Sequence, residues 1–196
     1  MAKNSFFAYL NRMKYITRWG LMRNTVQENI TEHSLQVAII AHSLAVIRKV
    51  YFSEGAFLQV QPDRVATMAM FHDSSEILTG DLPTPIKYHN PKISKAYKEL
   101  ENVANLKLIQ MLPTELQGEY SKLLAPAEKE YIEIIKAADK LSAYLKCVDE
   151  VKAGNNEFKR ALEENKRVLD DSELPEVKWF LDSFEPSFWL SLDELE

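Results

Sequence analysis

Apolar residues recur at the three- and four-residue spacing of an α-helix along most of the chain, and this pattern limits the fold more than any other feature. It is clearest after Asn29, where Glu32 completes the spacing of a capping box and the largely apolar segment HSLQVAIIAHSLAVIRKV follows. We find no convincing strand pairs, no internal repeat and no Ser/Gly/Pro-rich linker. The sequence therefore predicts an all-α fold with a single compact domain over residues 1–196.

Capping residues, prolines and glycines indicate where the helices begin and end. Ser5 is expected to cap the first helix, and Gly154 with the two asparagines after it to end the longest one. The stretch TGDLPTPIKYHN, residues 79–90, contains one glycine and two prolines and is predicted to be a loop. Helices are predicted over about residues 5–16, 30–50, 62–78, 91–112 and 127–153, with one or two more after residue 157.

Charge and composition exclude several classes of function. The 24 basic and 29 acidic residues give a net charge of −5 and are mixed along the chain, so we expect no nucleic-acid polymer as a partner. No apolar run approaches the roughly 18 residues of a membrane span, and polar residues interrupt the N-terminal segment, so neither a membrane anchor nor a signal peptide is expected. The single cysteine, Cys147, cannot form an intramolecular disulfide and is predicted to be a core residue of a cytoplasmic protein.

Four polar residues on predicted apolar helices are candidate metal ligands. His33 lies in the first turns of one helix, and His72 is followed directly by Asp73 on another. Asp139 belongs to an apolar stripe, where a carboxylate is costly unless it is paired or binds a metal. Two imidazoles and two carboxylates from three helices form a plausible site for one divalent transition metal, with positions left for water and substrate.

Purely structural interpretations of the same residues remain open at this point. A buried histidine is commonly a hydrogen-bonded core residue, and Asp139 has three lysines near it in sequence, Lys136, Lys140 and Lys146. On an ideal helix His72 and Asp73 point about 100° apart, so both reach one ion only if it lies between them. A Ser-His-Asp triad that uses a serine after Asp73, Ser74 or Ser75, lacks the nucleophile-elbow pattern.

The other two histidines are weaker candidates. His42 follows His33 by nine residues, which places it on the opposite side of the same helix, so we exclude it. His89 falls in the predicted polar loop and is expected to be exposed to solvent.

The order of these residues resembles the HD-domain metal-dependent phosphohydrolases and, more narrowly, the bacterial 5′-deoxynucleotidases of that superfamily. An HD pair alone is a weak motif. The segments EHSLQVA, FHDSSEILTGDLPTP and ADKLSAYLKCVDE, in this order, are much more specific. The similarity covers nearly the whole chain, through PSFWLSLDEL, but is not traced by eye between about Ala161 and Val177.

The resemblance implies a role for each candidate residue. The metal ligands would be His33, His72, Asp73 and Asp139. The catalytic residues would be Glu76, four residues after His72, and Asp81, which competes with it for the role of general acid. The residues in contact with the substrate would be Arg18, Trp19, His33, Asp73, Asp81, Leu82, Pro83, Thr84 and Asp139.

These similarities predict a 5′-nucleotidase that hydrolyses deoxyribonucleoside 5′-monophosphates. Arg18 suits a phosphate, and Trp19 would leave no room for a 2′-hydroxyl. Two nitrogen and two carboxylate ligands suit Co²⁺ or Mn²⁺, our first expectation, and also Zn²⁺ or Fe²⁺. The resemblance also implies a homodimer, in which the C-terminal segment FLDSFEPSFWL could be buried at the interface or in its own core.

Three alternatives stay open. One is another HD activity, either a triphosphohydrolase or a phosphodiesterase for a signalling nucleotide. A triphosphate site should carry several more cations near the metal than Arg18, Arg23 and Lys87. The second is a non-catalytic nucleotide-binding module, which would usually have lost a ligand. The third is a structural helical adaptor, which would leave four polar residues on apolar helices unexplained.

Overall fold

Helices build the part of the chain that this computed structural model describes, residues 4–54, 60–87 and 90–195. The side chains of residues 84 and 85 also lie outside the description, as does His89. Within the described ranges there is no strand, only one antiparallel bridge between Thr17 and Asn29. The predicted all-α class is confirmed.

Ten α-helices and four short 3-10 turns follow one another in the described ranges. The α-helices are α1 Phe6–Leu10, α2 Ile30–Tyr51, α3 Pro62–Met70, α4 Glu76–Thr79, α5 Thr84–Lys87, α6 Pro91–Gln110, α7 Thr114–Leu124, α8 Lys129–Lys152, α9 Lys159–Asp170 and α10 Pro175–Phe184. The 3-10 turns are Met13–Tyr15, Asn156–Phe158, Glu185–Trp189 and Leu192–Glu194.

Helix α2 forms the centre of the main hydrophobic core and packs against α3, α8 and α10. Leu44 of α2 and Leu141 of α8 are fully buried there. By length and composition α2 would also suit a membrane span, contrary to our expectation that no run approaches one. However, 56% of its most apolar window is buried inside the protein, as in the core helix of a folded domain.

The predicted capping box determines where α2 begins. The side-chain oxygen of Asn29 accepts hydrogen bonds from the backbone of Thr31 at 2.9 Å and Glu32 at 3.1 Å. In turn the Glu32 carboxylate accepts a hydrogen bond from the backbone N–H of Asn29 at 3.0 Å. These bonds satisfy donors that a helix start leaves without partners. They also fix the first turn of α2, in which the His33 side chain is fully buried.

The predicted continuous helix over residues 62–78 is wrong. Helix α3 ends at Met70, and α4 begins only at Glu76. Between them the backbone N–H groups of His72, Ser74 and Glu76 bond to carbonyls three residues earlier, in turns tighter than an α-helix. The intervening sequence FHDSS is rich in residues whose side chains compete for backbone hydrogen bonds, which disfavours a regular helix.

Three other boundaries differ from the prediction. Helix α1 stops at Leu10, a 3-10 turn follows, and the Ser5 side chain makes no capping bond. The predicted loop contains the single-turn helix α5, whose second residue is a proline, tolerated in a first turn because that N–H has no helical partner. Helix α7 was not predicted; Pro113, expected only to end α6, also precedes the start of α7. The remaining long helices agree with prediction within two or three residues.

Candidate metal centre

The two histidines predicted as ligands present the same ring nitrogen to one buried space. His33 Nδ1 lies 3.1 Å from Ser142 Oγ, and His72 Nδ1 lies 2.7 Å from the carbonyl oxygen of Ala69. Both Nε2 atoms are buried, and among the described residues neither makes a hydrogen bond of good geometry, although carboxylate oxygens lie near both. The ring centroids are 5.2 Å apart. Because a buried polar atom without a well-formed hydrogen bond is costly, this pair of Nε2 atoms suggests the ligands of a cation.

Two carboxylates complete the cluster. Asp73 Oδ2 lies 3.1 Å from His72 Nε2 and 3.5 Å from His33 Nε2. Asp139 Oδ1, from α8, lies 3.1 Å from His33 Nε2. One ligand atom each from His33, His72 and Asp73 lies within 4.8 Å of the others. The structure therefore brings together all four predicted ligands, from α2, the turn after α3, and α8.

The tight turn after α3 explains how neighbouring residues reach one point. Because α3 has already ended, His72 and Asp73 need not point about 100° apart as on an ideal helix. The bond from His72 Nδ1 to Ala69 orients the ring, which leaves Nε2 facing the Asp73 carboxylate. The turn that makes the helix prediction wrong is therefore what makes the ligand pair geometrically possible.

Electrostatics in the cluster favour a positive charge. Burial lowers the pKa of His72, but the Asp73 and Asp139 carboxylates and the Ala69 carbonyl together outweigh it, and the pKa rises to about 9. Burial raises the pKa of Asp73, but His72 and His33 hold it well below its usual range. The pKa of Asp139 is likewise lowered, by His33, against the effect of burial. Two ionised carboxylates beside two imidazoles are a donor set that fits a divalent transition metal.

Among the described residues, neither a lysine pair for Asp139 nor a serine–histidine bond of a triad is formed. Lys140 Nζ bonds to Asn165 at 3.2 Å, and Lys146 bonds to Glu150, so neither is the partner of Asp139. Ser74 and Ser75 are buried, and among the described residues neither bonds to a histidine. His42 Nε2 lies 3.4 Å from Asp63 Oδ1 on the far side of α2, as its spacing predicted.

Two carboxyl groups that are not part of the ligand cluster lie close to it. Glu76 is the first residue of α4 and is 7% exposed. Its Oε2 has no hydrogen-bond partner among the described residues. Burial, and then the carboxylates of Asp73 and Asp81, raise its pKa to about 10. Burial also raises the pKa of Asp81, although Arg18 opposes this. Both groups are thus biased toward holding a proton, which is the state that a general acid requires.

A turn at the end of α4 places Asp81 beside Glu76. Gly80 adopts φ +74°, a conformation that a residue with a side chain rarely adopts, and its N–H bonds to the Glu76 carbonyl at 2.8 Å. Tyr97 from α6 donates to the Gly80 carbonyl at 3.1 Å and braces the turn. Leu82 and Pro83 follow and are partly buried, whereas the side chain of Thr84 lies outside the described residues.

The predicted substrate pair, Arg18 and Trp19, lies in the loop before α2 and reaches the cluster. Arg18 Nη1 is 2.5 Å from His33 Nδ1, and its Nη2 is 4.0 Å from Asp139 Oδ1. Trp19 has φ +58°, unusual for an aromatic residue, and its ring packs on Phe158 with centroids 5.3 Å apart. Arg18 therefore borders the ligand cluster, and Trp19 lies next to it in the same loop.

Glu28 is a residue of this site that the sequence analysis missed. Its carboxylate accepts hydrogen bonds from both Arg18 and Trp19, and Oε1 lies 3.9 Å from His33 Nδ1. No periodic pattern links a loop residue with partners nine and ten positions earlier. Its only local signal is its position just before the capping residue Asn29.

Comparisons with known proteins agree with this geometry. A family described as 5′-deoxynucleotidase YfbR-like matches residues 5–188. A 5′-deoxynucleotidase from Vibrio parahaemolyticus is 49% identical over 197 residues, which cover 100% of both chains. One from Photorhabdus laumondii is 50% identical over 97% of this chain and 95% of its own.

Solved structures share the fold. An HD-domain phosphohydrolase from Listeria innocua superposes with a TM-score of 0.80 at 24% identity, covering 96% of this chain and 90% of its own. A cyanophage S-2L HD phosphohydrolase, bound to dA and one catalytic Zn²⁺ ion, gives 0.64 at 25% identity, covering 92% and 95%. The family match also spans residues 161–177, which could not be aligned by eye. The chain therefore belongs to the YfbR-like 5′-deoxynucleotidase family of HD-domain phosphohydrolases.

Proposed function

We propose that this protein hydrolyses deoxyribonucleoside 5′-monophosphates to deoxynucleoside and phosphate, with one divalent cation held by His33, His72, Asp73 and Asp139. The observation that carries the proposal is that two buried Nε2 atoms, neither with a well-formed hydrogen bond among the described residues, face two ionised carboxylates. Relatives about half identical over their full length are 5′-deoxynucleotidases, which supports the same reaction here.

The four ligand residues suit several cations. When bound, a divalent cation there supplies Lewis acidity, which lowers the pKa of a water and neutralises phosphate oxygens. We propose Co²⁺ or Mn²⁺ first, because two imidazole and two carboxylate ligands suit them, with Fe²⁺ also possible. Because the similar cyanophage phosphohydrolase binds a catalytic Zn²⁺ ion, Zn²⁺ must be among the metals added in the activity assay.

We propose that Glu76 is the general acid. Hydrolysis breaks the bond between phosphorus and the 5′-oxygen, and the departing oxygen must gain a proton. Glu76 is the carboxyl near the cluster with the most strongly raised pKa, about 10, and its Oε2 has no partner among the described residues. Asp81, whose pKa is also raised, is the competing donor because it lies in the turn directly after α4.

We propose that the substrate lies between Arg18 and the turn at residues 81–84. The guanidinium presents several donors to phosphate oxygens beside the ligand cluster. His33, Asp73 and Asp139 border the same space, so they would also contact the substrate. Trp19 would pack against the sugar, and steric exclusion of a 2′-hydroxyl is the proposed basis of the deoxy preference.

A monophosphate suits the charges of the site better than a triphosphate does. Arg18 is already bonded to Glu28, and Lys87 is 2.8 Å from Glu101. The backbone N–H of Arg23 bonds to Glu157, in the turn after α8. A triphosphohydrolase should present more cations to the additional phosphates, so the triphosphate alternative is not favoured.

We further propose that the chain acts as one domain within a homodimer in the cytoplasm, with neither a membrane nor a nucleic-acid polymer as partner. The C-terminal segment supports a dimer, since Phe180 is buried in the core but Phe184, Trp189 and Leu192 remain exposed. The free, buried Cys147 is consistent with a reducing compartment. Light scattering on the purified protein tests the dimer, and a monomer at all concentrations would refute it.

Phosphate release from dAMP and AMP tests the proposed reaction. The protein is stripped with a chelator and assayed alone and after addition of Co²⁺, Mn²⁺, Zn²⁺, Fe²⁺ or Mg²⁺. We expect release only with a transition metal, and faster from dAMP than from AMP. Absence of release from both monophosphates with every metal would overturn the proposed function, and nucleoside triphosphates would then be the next substrates to assay.

A further inference from the structure

Two side chains of the proposed substrate site bond to a single carboxylate oxygen. Glu28 Oε2 accepts a hydrogen bond from Arg18 Nη1 at 3.0 Å and one from Trp19 Nε1 at 3.2 Å. The Glu28 side chain is 11% exposed and that of Arg18 13%, so water competes little with this pairing. We propose that Glu28 is a positioning residue that sets the geometry of Arg18 and Trp19 and thereby the preference for deoxyribose over ribose. This inference rests on the proposed function.

The backbone holds Glu28 directly opposite Arg18. The N–H of Arg18 bonds to the Glu28 carbonyl at 2.9 Å, and the N–H of Ile30 bonds to the Ile16 carbonyl at 3.0 Å. These bonds flank the antiparallel bridge between residues 17 and 29. Because Asn29 also caps α2, the Glu28 carboxylate is anchored to the start of the helix that carries His33. Its position relative to the metal centre is therefore well determined.

Trp19 depends on this anchor because its own backbone is unfavourable. A φ of +58° is a conformation that an aromatic residue adopts only when its surroundings enforce it. The Trp19 carbonyl accepts bonds from the backbone N–H of Met22 at 2.9 Å and from the Asn24 side chain at 3.3 Å, which hold the backbone. Phe158 packs against the ring and Glu28 accepts the indole N–H, and these two contacts hold the side chain. The ring contact is apolar and does not select one edge of the indole. The hydrogen bond does, and it therefore determines which edge faces the sugar.

Arg18 depends on Glu28 because a second acid competes for its guanidinium. Nη2 lies 4.0 Å from Asp139 Oδ1, one of the proposed ligands. Without the Glu28 carboxylate, the attraction of Asp139 would be the main remaining ion pair of Arg18. In the metal-bound protein Asp139 would be engaged as a ligand, so the guanidinium would lose its fixed position on the phosphate side without displacing that ligand. Glu28 therefore keeps the positive charge at the edge of the centre, where a phosphate can reach it.

An acid in the 3-10 turn after α8 contacts the same loop and supplies a matched control. The Glu157 carboxylate accepts a bond from the backbone N–H of Arg23 at 3.3 Å, and Glu157 is exposed. It tethers the loop without touching Arg18 or Trp19. Replacing Glu157 therefore loosens the loop in general, whereas replacing Glu28 removes the acceptor of the two substrate-side groups.

The test compares Glu28→Gln and Glu28→Ala with the control Glu157→Gln. We measure kcat and KM for dAMP and AMP, and the dissociation constant of Co²⁺ by titration of the chelated protein. Glu28→Ala should lower the kcat/KM for dAMP relative to that for AMP by about tenfold, a change typical of a small steric misfit in a binding pocket. Co²⁺ affinity should be unchanged. Glu28→Gln keeps an acceptor without the charge and should fall between Glu28→Ala and the wild type. The control should match the wild type.

A double-mutant cycle makes the test specific. Trp19→Phe keeps an aromatic ring and removes the N–H that Glu28 accepts, so part of the Glu28→Gln effect on sugar selectivity should disappear in that background. Additive effects would overturn the proposed coupling. If Glu28→Ala does not fold, the cycle with the near-isosteric Glu28→Gln decides the question.

The same measurements distinguish a wrong role for Glu28 from a wrong assignment of the reaction. If Trp19→Phe or Arg18→Ala changes the ratio for dAMP and AMP but neither Glu28 variant does, Glu28 is not a positioning residue and the function stands. If Glu28→Gln weakens Co²⁺ binding together with turnover, the residue acts on the metal centre and the inference is wrong. If the wild type itself does not prefer dAMP, the deoxy preference fails before any variant is examined.

Discussion

Glu76 and Glu150 are both buried glutamates on helices, yet their surroundings differ sharply. Glu150 is 1% exposed and accepts bonds from Lys146, Asn155 and Thr25, the last through both backbone and hydroxyl. Burial raises its pKa, but these donors outweigh it and lower the pKa to about 2. Glu76 is 7% exposed, and its Oε2 has no partner among the described residues. Burial and the neighbouring acids raise its pKa to about 10.

The contrast separates structural polar groups from reactive ones. Around Glu150 the fold satisfies the charge and uses it to tie the loop before α2 to the end of α8. Around Glu76, and around the Nε2 atoms of His33 and His72, it leaves bonding capacity unused. Buried bonding capacity without a partner costs stability, so its persistence indicates a ligand or a reaction. The following predictions test this distinction.

The largest effect should come from removing a proposed metal ligand. His33→Ala or Asp73→Asn should abolish both metal retention and phosphate release, a loss greater than the roughly 10–100-fold typical of residues that only orient ligands. Metal content by mass spectrometry and activity are measured on the same samples. Activity that survives in a metal-free variant would exclude the cluster as the reactive site.

Glu76→Gln should retain the metal and lose turnover. Loss of a general acid typically lowers kcat by about 10²–10⁴-fold, and the glutamine amide is too weak an acid to protonate the leaving 5′-oxygen. Steady-state kinetics with dAMP and metal analysis check both parts, with Asp81→Asn as the companion variant. Unchanged kinetics in Glu76→Gln, with a loss in Asp81→Asn, would assign the acid to Asp81.

Glu150→Gln should destabilise the protein by about 2–3 kcal/mol at neutral pH, because it weakens charge-assisted bonds from several donors. Its folded pKa is depressed, so this stabilisation is present above the unfolded pKa and is lost as pH falls from about 4.5 toward about 2. Urea unfolding of wild type and variant at several pH values measures it. A variant as stable as wild type at pH 7 would contradict the structural role.

Glu76→Gln should have the opposite effect on the chelated protein and raise its stability by at least about 1 kcal/mol at pH 8, the equivalent of roughly one pKa unit. Its folded pKa is raised, so the unfolded chain ionises near 4.5 while the fold retains the proton until about 10. Stability therefore falls as pH rises through that interval, and glutamine removes the penalty. Thermal melts from pH 5 to 9 check it, and equal melting temperatures at pH 8 would refute it.

Local signals in the sequence were enough to predict the long helices. The capping box at Asn29, Pro91 at the start of α6 and the glycine after α8 each act within a few residues, and the structure confirms these boundaries. Helix α7 and the break after Met70 were missed because tertiary packing and turn chemistry override weak local preferences there.

The four proposed metal ligands and their meeting in one site were predicted, but the backbone geometry that brings His72 and Asp73 together was not. The end of α3 before His72 directs His72 and Asp73 to one point, and this is a property of the folded backbone. The partners of Glu28 and Glu150 lie across loops or many positions away, where no periodic pattern connects them. Sequence patterns thus indicate which groups are chemically unusual, and the fold decides which of them are left without partners.

A titration of the chelated protein with Co²⁺, followed by both binding and dAMP hydrolysis, tests the metal centre most directly. We expect both signals to rise in parallel and to saturate at one ion per chain, with His72→Ala showing neither. Hydrolysis at full rate before any Co²⁺ is added, or binding of one ion by His72→Ala with unchanged affinity, would contradict the assignment of the centre.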